Sequence, residues 1–106
     1  MAISEFRYNK RRQHYSYIYG RKNNQLKNLL LSSKSYRKVK KRNGRYKIVN
    51  NVQLQRHPNP NCKEKEYVMT KKSLDYPYDF GRKLSNWSFD VNDKRKIKRL
   101  IKGKKV

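Results

Sequence analysis

The fold of this chain is decided by the run Gln13-His14-Tyr15-Ser16-Tyr17-Ile18-Tyr19, in which tyrosine occupies every second position from 15 to 19. A period of two together with tyrosine enrichment predicts a β-strand. The three tyrosines would share one face of that strand, and the residues between them would share the other. Because the chain has nine tyrosines and few aliphatic residues, we expect these rings to build much of a small, partly hydrated core.

The residues that follow this strand predict an antiparallel partner. Residues 20–24, Gly-Arg-Lys-Asn-Asn, are typical of a turn. Residues 26–32 are rich in leucine and form either the returning strand or a short helical turn, since a run of this length fits both.

Further along the chain, Asn43-Gly44 is a strong signal for a tight turn between extended segments. The extended run 45–55 follows, and we expect it to bend or bulge at Asn50-Asn51. The prolines of the next segment exclude a helix or a central strand there. Residues 66–70 predict a short strand, and residues 71–81 predict a loop.

The C-terminal segment predicts an amphipathic helix. Asp90 can cap its N-terminus, and Asp93 lies in the first turn, where a negative charge favours the helix dipole. Gly103 is a typical stop signal. The apolar face of this helix would comprise Val91, Ile97, Leu100 and Ile101.

Together these elements predict an α+β fold, a small antiparallel β-sheet or partly closed barrel with a C-terminal amphipathic helix. We expect a single small domain from residue 13 to residue 102. Residues 1–12 would form a basic N-terminal arm, and residues 103–106 a basic tail. A core of this size is only marginally stable, so a bound partner would add stability.

Charge is the strongest functional signal in the sequence. The 106 residues include 30 Lys or Arg and 7 Asp or Glu, which gives a formal net charge of +23, and residues 6–63 contain no acid. Solubility needs a net charge of only about 2–8 on a small domain. Self-repulsion destabilises a compact domain with so much charge of one sign unless a polyanion neutralises it. We therefore predict that the chain binds a polyanion, most simply nucleic acid.

The sequence also bears on compartment. Cys62 is the single cysteine, which excludes an internal disulfide and fits a reducing compartment. No apolar run approaches the roughly 20 residues of a membrane span, and the N-terminus lacks an apolar signal core. We expect a cytoplasmic protein, or one packaged in a virion, with no membrane partner.

Three basic segments are the expected sources of phosphate contacts. Between Lys34 and Arg45, seven of twelve residues are Lys or Arg. These side chains neutralise phosphates and release counterions, which gives affinity with little sequence choice. The candidate nucleic-acid-binding residues are Lys10, Arg11 and Arg12 in the arm; Lys34, Tyr36, Arg37, Lys38, Lys40, Lys41, Arg42 and Arg45 in the basic loop; and Lys94, Arg95, Lys98 and Arg99 in the helix.

Alternate tyrosines on a strand also resemble a platform on which bases stack. Tyr15, Tyr17 and Tyr19 therefore have two interpretations, as core or as base-stacking residues, of which we prefer the core. Tyr36, within the basic loop, is the freer candidate for stacking.

His14 and His57 are the candidate catalytic residues. Two imidazoles can act as acid and base in phosphodiester cleavage because their unperturbed pKa lies near neutral pH, and nearby cations would stabilise the developing charge. Two ordinary histidines are the simpler interpretation, since the sequence does not bring them together. One cysteine and scattered acids predict neither a metal centre nor a cofactor.

The order of a tyrosine-rich strand, a leucine-rich segment ending Leu31-Ser32-Ser33 and an extended run through Leu54 resembles small basic proteins of phages and mobile elements. More distantly, it is similar to the curled β-barrel ribonuclease toxins of the PemK and ToxN type. The resemblance covers residues 13–70. It implies a barrel and RNA cleavage by Arg, Lys and Ser or Thr side chains at the barrel mouth. The segment 31–34 is the place where such a site would lie, which makes Ser33 a third candidate catalytic residue.

Three functions are therefore open. The first is a non-catalytic nucleic-acid-binding protein, with RNA slightly favoured over DNA. The second is a metal-independent endoribonuclease toxin. The third is a phage structural or inhibitory protein bound to a phage particle or a host nucleoprotein complex. We prefer the first, because charge supports it directly, whereas catalysis requires side chains that the sequence alone does not place together.

Overall fold

The computed structural model describes residues 3–103, and within them the chain folds into seven β-strands, a short 3-10 helix at Pro77–Asp79 and one α-helix. The elements, in chain order, are β1 (Glu5–Asn9), β2 (His14–Lys22), β3 (Gln25–Ser32), β4 (Tyr36–Lys40), β5 (Tyr46–Asn50), β6 (Val52–Gln53), β7 (Tyr67–Asp75) and α1 (Val91–Lys102).

Five strands form one antiparallel sheet in the order β1-β2-β3-β7-β6, and β4 and β5 form a separate two-stranded hairpin. The sheet is open, because β1 and β6 lie at opposite edges and do not pair with each other. The predicted α+β class with an antiparallel sheet and a C-terminal helix is confirmed, in its open-sheet rather than its barrel form.

The central hairpin β2–β3 agrees with the sequence pattern except at the predicted turn 20–24, since residues 20–22 continue strand β2 and pair with β3. Lys22 pairs with Gln25, so the turn consists of Asn23 and Asn24, and Asn23 has a φ of 56°, a left-handed conformation that asparagine tolerates. Residues 26–32 form a strand rather than a helical turn. Because β3 is the middle strand and both its faces are covered, its consecutive leucines are all buried.

The main core lies on the face of the sheet that α1 covers. Tyr17 and Tyr19 pack against this core, and the Tyr17 ring lies 5.2 Å from that of Phe6 and 4.8 Å from that of Phe89. The buried members of the cluster are Phe6, Leu29, Leu31, Leu54, Val68, Phe89 and Ile97. The preferred interpretation of the tyrosines as core residues therefore applies to these two rings.

The opposite face carries a smaller core and a buried polar network. Ile18, Leu26 and Phe80 form the apolar part. The Asp75 carboxylate accepts hydrogen bonds from the side-chain amides of Asn9 at 3.0 Å and Asn28 at 3.1 Å. The guanidinium of Arg12 adds contacts at 3.0 and 3.1 Å.

The N-terminal segment differs from the predicted basic arm. Glu5–Asn9 form strand β1, which pairs with β2, and Phe6 is buried in the core. The ordered domain therefore begins before residue 13, because alternating Phe6 and Tyr8 supply an apolar strand face that the basic composition conceals. Residues 10–12 form the turn between β1 and β2.

The predicted basic loop also differs, since it is mostly β-structure. Strands β4 and β5 pair from Tyr36↔Asn50 to Lys40↔Tyr46 around the predicted turn, where Gly44 has a φ of 83°. We call residues 34–50 the basic hairpin. The expected bend after it is confirmed at Asn51, whose side-chain amide donates to the Lys34 carbonyl at 2.9 Å and separates β5 from β6.

Residues 71–75 continue strand β7 instead of forming the predicted loop, because Ser73 and Asp75 are buried against the polar network although their residue types suggest a loop. Residues 103–106 were predicted to be a basic tail. Gly103 ends the helix as its C-cap, and residues 104–106 lie outside the described residues.

Helix α1 is anchored at its N-terminal end by two aspartates. Asp90 caps its N-terminus by accepting from the Asn92 amide at 3.0 Å. Asp93 is fully buried and accepts from the backbone amides of Gln55 at 2.7 Å and Arg56 at 3.1 Å. Val91 is 63% exposed, so its predicted place on the apolar face is wrong, because the first helix residue in the core is Ile97. Among residues 3–103, no helix has the length and apolar character needed to cross a membrane.

Candidate nucleic-acid interface

A groove of about 840 Å³ opens where the basic hairpin leaves the sheet. Its lining comes from the start of β2, the end of β3, the first half of β4 and the loop between β6 and β7. Cationic, aromatic, imidazole and carboxylate side chains all contribute to it, and we call it the groove below.

One wall of the groove is cationic. It consists of Lys34, Arg37 and Lys38, all at the start of the basic hairpin. The Nε of Arg37 is buried and has no hydrogen-bond partner among residues 3–103. No ion pair within that range includes a cation of the hairpin. Because its cations have no carboxylate partner within that range, this wall is suited to a ligand that brings oxyanions.

The rest of the basic hairpin extends this cationic surface away from the groove. Lys40, Lys41, Arg42 and Arg45 are all exposed. Tyr46 and Ile48 lie on the same hairpin and are 63% and 58% exposed. The hairpin therefore combines unpaired charge with exposed ring and apolar surface.

Two tyrosine rings line the groove and remain accessible. Tyr15 is 41% exposed and Tyr36 is 45% exposed. The Tyr15 ring is held from behind by Tyr8 at 5.0 Å and by Trp87 at 4.8 Å. The tyrosines of β2 therefore divide, since Tyr15 faces the groove whereas the other two pack in the core.

His14 lies at the start of β2 and also lines the groove. Its Nδ1 is 2.9 Å from the carbonyl oxygen of Leu31. A carbonyl can only accept, so Nδ1 carries the hydrogen and donates it. Nε2 is then the ring nitrogen left free to bind or release a proton.

His57 enters the groove from the loop after β6. Its Nδ1 accepts from the Asn59 amide at 3.0 Å, its Nε2 lies 3.6 Å from a Glu66 carboxylate oxygen, and its ring lies 5.6 Å from that of Trp87. Burial lowers the pKa of His57, and the negative charge of Glu64 opposes that effect only in part. At neutral pH the ring is therefore mainly uncharged, with the proton on Nε2.

Glu66 is the unusual acid of the groove. Burial, with a smaller contribution from the charge of Glu64, raises the pKa of Glu66 from its ordinary value of 4.5 to about 7. Its contact with His57 is therefore not a fully charged ion pair at neutral pH. Near neutral pH, Glu66 is therefore present in both its protonated and its ionised form.

Ser33, the third candidate catalytic residue, is exposed and lines the same groove. The structure therefore brings together Ser33, His14 and His57, which the sequence could not relate to one another. Within the described part of the chain, no group of three or more His, Cys, Asp or Glu side chains is arranged to hold a metal ion.

The other predicted phosphate contacts lie elsewhere. Lys10 and Arg11 are exposed in the β1–β2 turn, whereas Arg12 is paired with Asp75 beneath the sheet. The helix residues Lys94, Arg95, Lys98 and Arg99 are exposed but are not part of the groove. Of the three predicted basic segments, only the basic hairpin contributes cations to the groove.

Sequence reasoning missed the two carboxylates of the groove, Glu64 and Glu66. The seven acids are scattered along the sequence, and no spacing pattern relates these two to a site. The available signal was position, since these are the first acids after a stretch of 58 residues, 6–63, that contains none. Only the fold places them beside His57.

No protein-family model matches the chain, and no match was found among curated proteins or solved structures.

Proposed function

We propose that the protein binds single-stranded nucleic acid, with RNA ahead of DNA, along the groove and the basic hairpin. The observation that carries the proposal is the cationic wall of the groove, where Lys34, Arg37 and Lys38 lie together and form no ion pair among residues 3–103. The Lys34, Arg37 and Lys38 side chains would neutralise and hold neighbouring phosphates.

The accessible rings favour a single strand over a duplex. Tyr15 and Tyr36 line the same groove as the cations, and a base can stack on a tyrosine only when it is not stacked within a duplex. We favour RNA over DNA as the ligand because unpaired bases stacked on aromatic side chains are the usual target of sequence-selective RNA recognition.

The test is a salt titration of binding to a single-stranded 2′-O-methyl RNA, which resists cleavage. Each phosphate contact contributes about 0.7 to the log–log slope for a single strand. The double variant K34Q/R37Q should lose about 1.4 from that slope, because two contacts disappear. The matched control K98Q/R99Q removes the same charge from helix α1, outside the groove, and should lose less than half as much.

Equal losses in the two double variants would mean that net charge alone, and not the groove, causes binding. Absence of binding to any single strand by the wild-type protein would overturn the proposal.

A second candidate function is metal-independent RNA cleavage, and the observation that favours it is the presence of His14 and His57 in one groove. The free Nε2 of His14 would take the proton of a ribose 2′-hydroxyl, whose oxygen attacks the adjacent phosphorus. The bond from phosphorus to the 5′-oxygen breaks, and His57, protonated at Nδ1 once that nitrogen releases the Asn59 amide, gives its Nε2 proton to that oxygen. The products are a 2′,3′-cyclic phosphate and a free 5′-hydroxyl.

Cleavage is tested with unmodified RNA at saturating protein concentration in the presence of a chelator. Cyclic-phosphate ends that disappear in H14A and in H57A, both of which should still bind RNA, would support this function. Intact RNA after hours under these conditions would exclude it and leave the binding proposal standing.

A further inference from the structure

The Glu66 carboxylate is a buried polar group that lacks its own donors. Its side chain is only 9% exposed, and it lines the groove. Among residues 3–103, its carboxylate accepts no hydrogen bond, and His57 Nε2 lies 3.6 Å from one of its oxygens. Within this range the Glu66 oxygens are not among the fully enclosed atoms without a partner, so they remain open to the groove, whereas carboxylates on such buried side chains usually accept hydrogen bonds from the protein. A ligand that brought two donors would therefore satisfy it.

The chemistry of the bases decides which ligand can do so. An ionised carboxylate only accepts hydrogen bonds, through two oxygens side by side. Guanine is the base whose Watson–Crick edge presents two adjacent donors, N1–H and the N2 amino group. Adenine and cytosine place a ring-nitrogen acceptor beside their amino group, and uracil places its single N3–H between two carbonyl acceptors.

We propose that Glu66 selects an unpaired guanine, with its two carboxylate oxygens accepting from N1–H and from the N2 amino group. This inference rests on the proposed binding of single-stranded nucleic acid. Tyr36 or Tyr15 would stack on the selected base, and Lys34 and Arg37 would hold the phosphates on either side of it.

The proposal predicts that guanine selection depends on pH. Guanine requires the ionised form of Glu66, which becomes the major form as pH rises through about 7. Six other charged or imidazole groups on the surrounding elements line the same groove: His14, His57, Glu64, Lys34, Arg37 and Lys38. Protonation of the imidazoles strengthens phosphate binding to every base equally. The ratio of guanine affinity to inosine affinity therefore isolates the contribution of Glu66.

The first experiment uses the full-length protein and 2′-O-methyl oligonucleotides that differ at one central base. A bidentate contact is worth about tenfold in discrimination, so we expect guanine to bind about tenfold more tightly than adenine, cytosine or uracil. Inosine lacks the N2 amino group and should lie between them. Since only the ionised fraction binds guanine, the guanine-to-inosine ratio should rise between pH 6 and pH 8.

The second experiment substitutes the carboxylates one at a time. E66Q offers one acceptor and one donor instead of two acceptors, so it should abolish the preference for guanine while keeping the affinity for inosine within about twofold. E64Q is the matched control, because Glu64 lies in the same groove but is exposed. It should keep the preference for guanine.

The two proposals fail differently. If the wild-type protein binds all bases equally with a steep salt dependence, the binding function stands and the guanine site is wrong. If E66Q retains the preference, or if E64Q alone abolishes it, the assignment to Glu66 is overturned. If no single strand binds, the proposed function itself fails.

Discussion

Asp75 and Glu66 are both buried carboxylates, yet their surroundings differ in almost every respect. Burial by itself would raise the pKa of Asp75, but hydrogen bonds from Arg12, Asn28 and Asn9 and the charge of Arg12 together lower it. Burial raises the pKa of Glu66 to about 7, and no hydrogen bond within residues 3–103 opposes that effect.

This difference separates a structural acid from a ligand-binding one. The Asp75 network ties β1, β3 and β7 together, since its amide donors come from the first two of those strands. Glu66 accepts no hydrogen bond that links strands within residues 3–103, and it lines the groove together with unpaired cations. Ionisation of Asp75 should therefore stabilise the folded state, whereas ionisation of Glu66 should destabilise it.

The largest expected effect is the loss of Asp75. D75A would leave Asn9, Asn28 and Arg12 without their shared acceptor, and we expect a loss of about 3 kcal/mol in the free energy of unfolding at pH 7. Urea denaturation measures it. Because the pKa of Asp75 is lowered in the folded protein, its contribution is present above its ordinary value of 3.8 and is lost as pH falls through the folded value. A loss below about 1 kcal/mol at pH 7 would contradict the structural role.

The second prediction concerns Glu66, whose ionisation should lower the stability of the folded protein. A carboxyl group whose pKa is raised on folding stabilises the folded state in its protonated form, so wild-type stability should fall as pH rises from 4.5 to about 7 because of Glu66. E66Q remains neutral and should therefore be more stable than wild type at pH 8, by about 2 kcal/mol, but not at pH 4.

Urea midpoints of wild type and E66Q across this pH range test the prediction. D75A measured in parallel serves as the control, because its deficit should persist at pH 8. A stability of E66Q below that of wild type at pH 8 would mean that Glu66 is satisfied in the folded protein, and the contrast between the two acids would disappear.

The smallest expected effect concerns the exposed ring of Tyr36, which lines the same groove as Glu66. Y36A should weaken binding of single-stranded nucleic acid by about 1 kcal/mol, because one stacked base loses its platform. Its stability should barely change, since the side chain is 45% exposed. The control Y78A removes a tyrosine that is 73% exposed and lies outside the groove. Fluorescence anisotropy measures the affinity of each variant for single-stranded nucleic acid. Equal losses of affinity in Y36A and Y78A would mean that Tyr36 is not part of the interface.

Local patterns accounted for much of the fold. The alternation of residues 13–19 predicted β2, Asn43-Gly44 predicted the turn of the basic hairpin, and Asp90 predicted the start of α1. These succeed because each depends on backbone conformation or side-chain period within a few neighbouring residues. The pattern failed at Glu5–Asn9 and at residues 71–75, where polar or basic side chains lie in strands that long-range pairing and buried hydrogen bonds hold in place.

The candidate site was predictable only in part. Charge pointed to Lys34, Arg37 and Lys38, and residue chemistry pointed to His14 and His57. Composition could not indicate that Arg12 forms an ion pair with Asp75, because the two residues are 63 positions apart in the chain. The role of Glu66 could not be predicted from the sequence for the same reason, because its raised pKa results from burial by distant segments.

The sequence by itself determined that the chain is a polycation with a tyrosine-bearing strand, a turn in its basic segment and a capped C-terminal helix, since charge and short-range periodicity are local properties. The tertiary structure alone decided which charges are paired and which face a groove. Burial and hydrogen-bond satisfaction arise from contacts between distant segments, and they distinguish Asp75, which stabilises the fold, from Glu66, which awaits a donor.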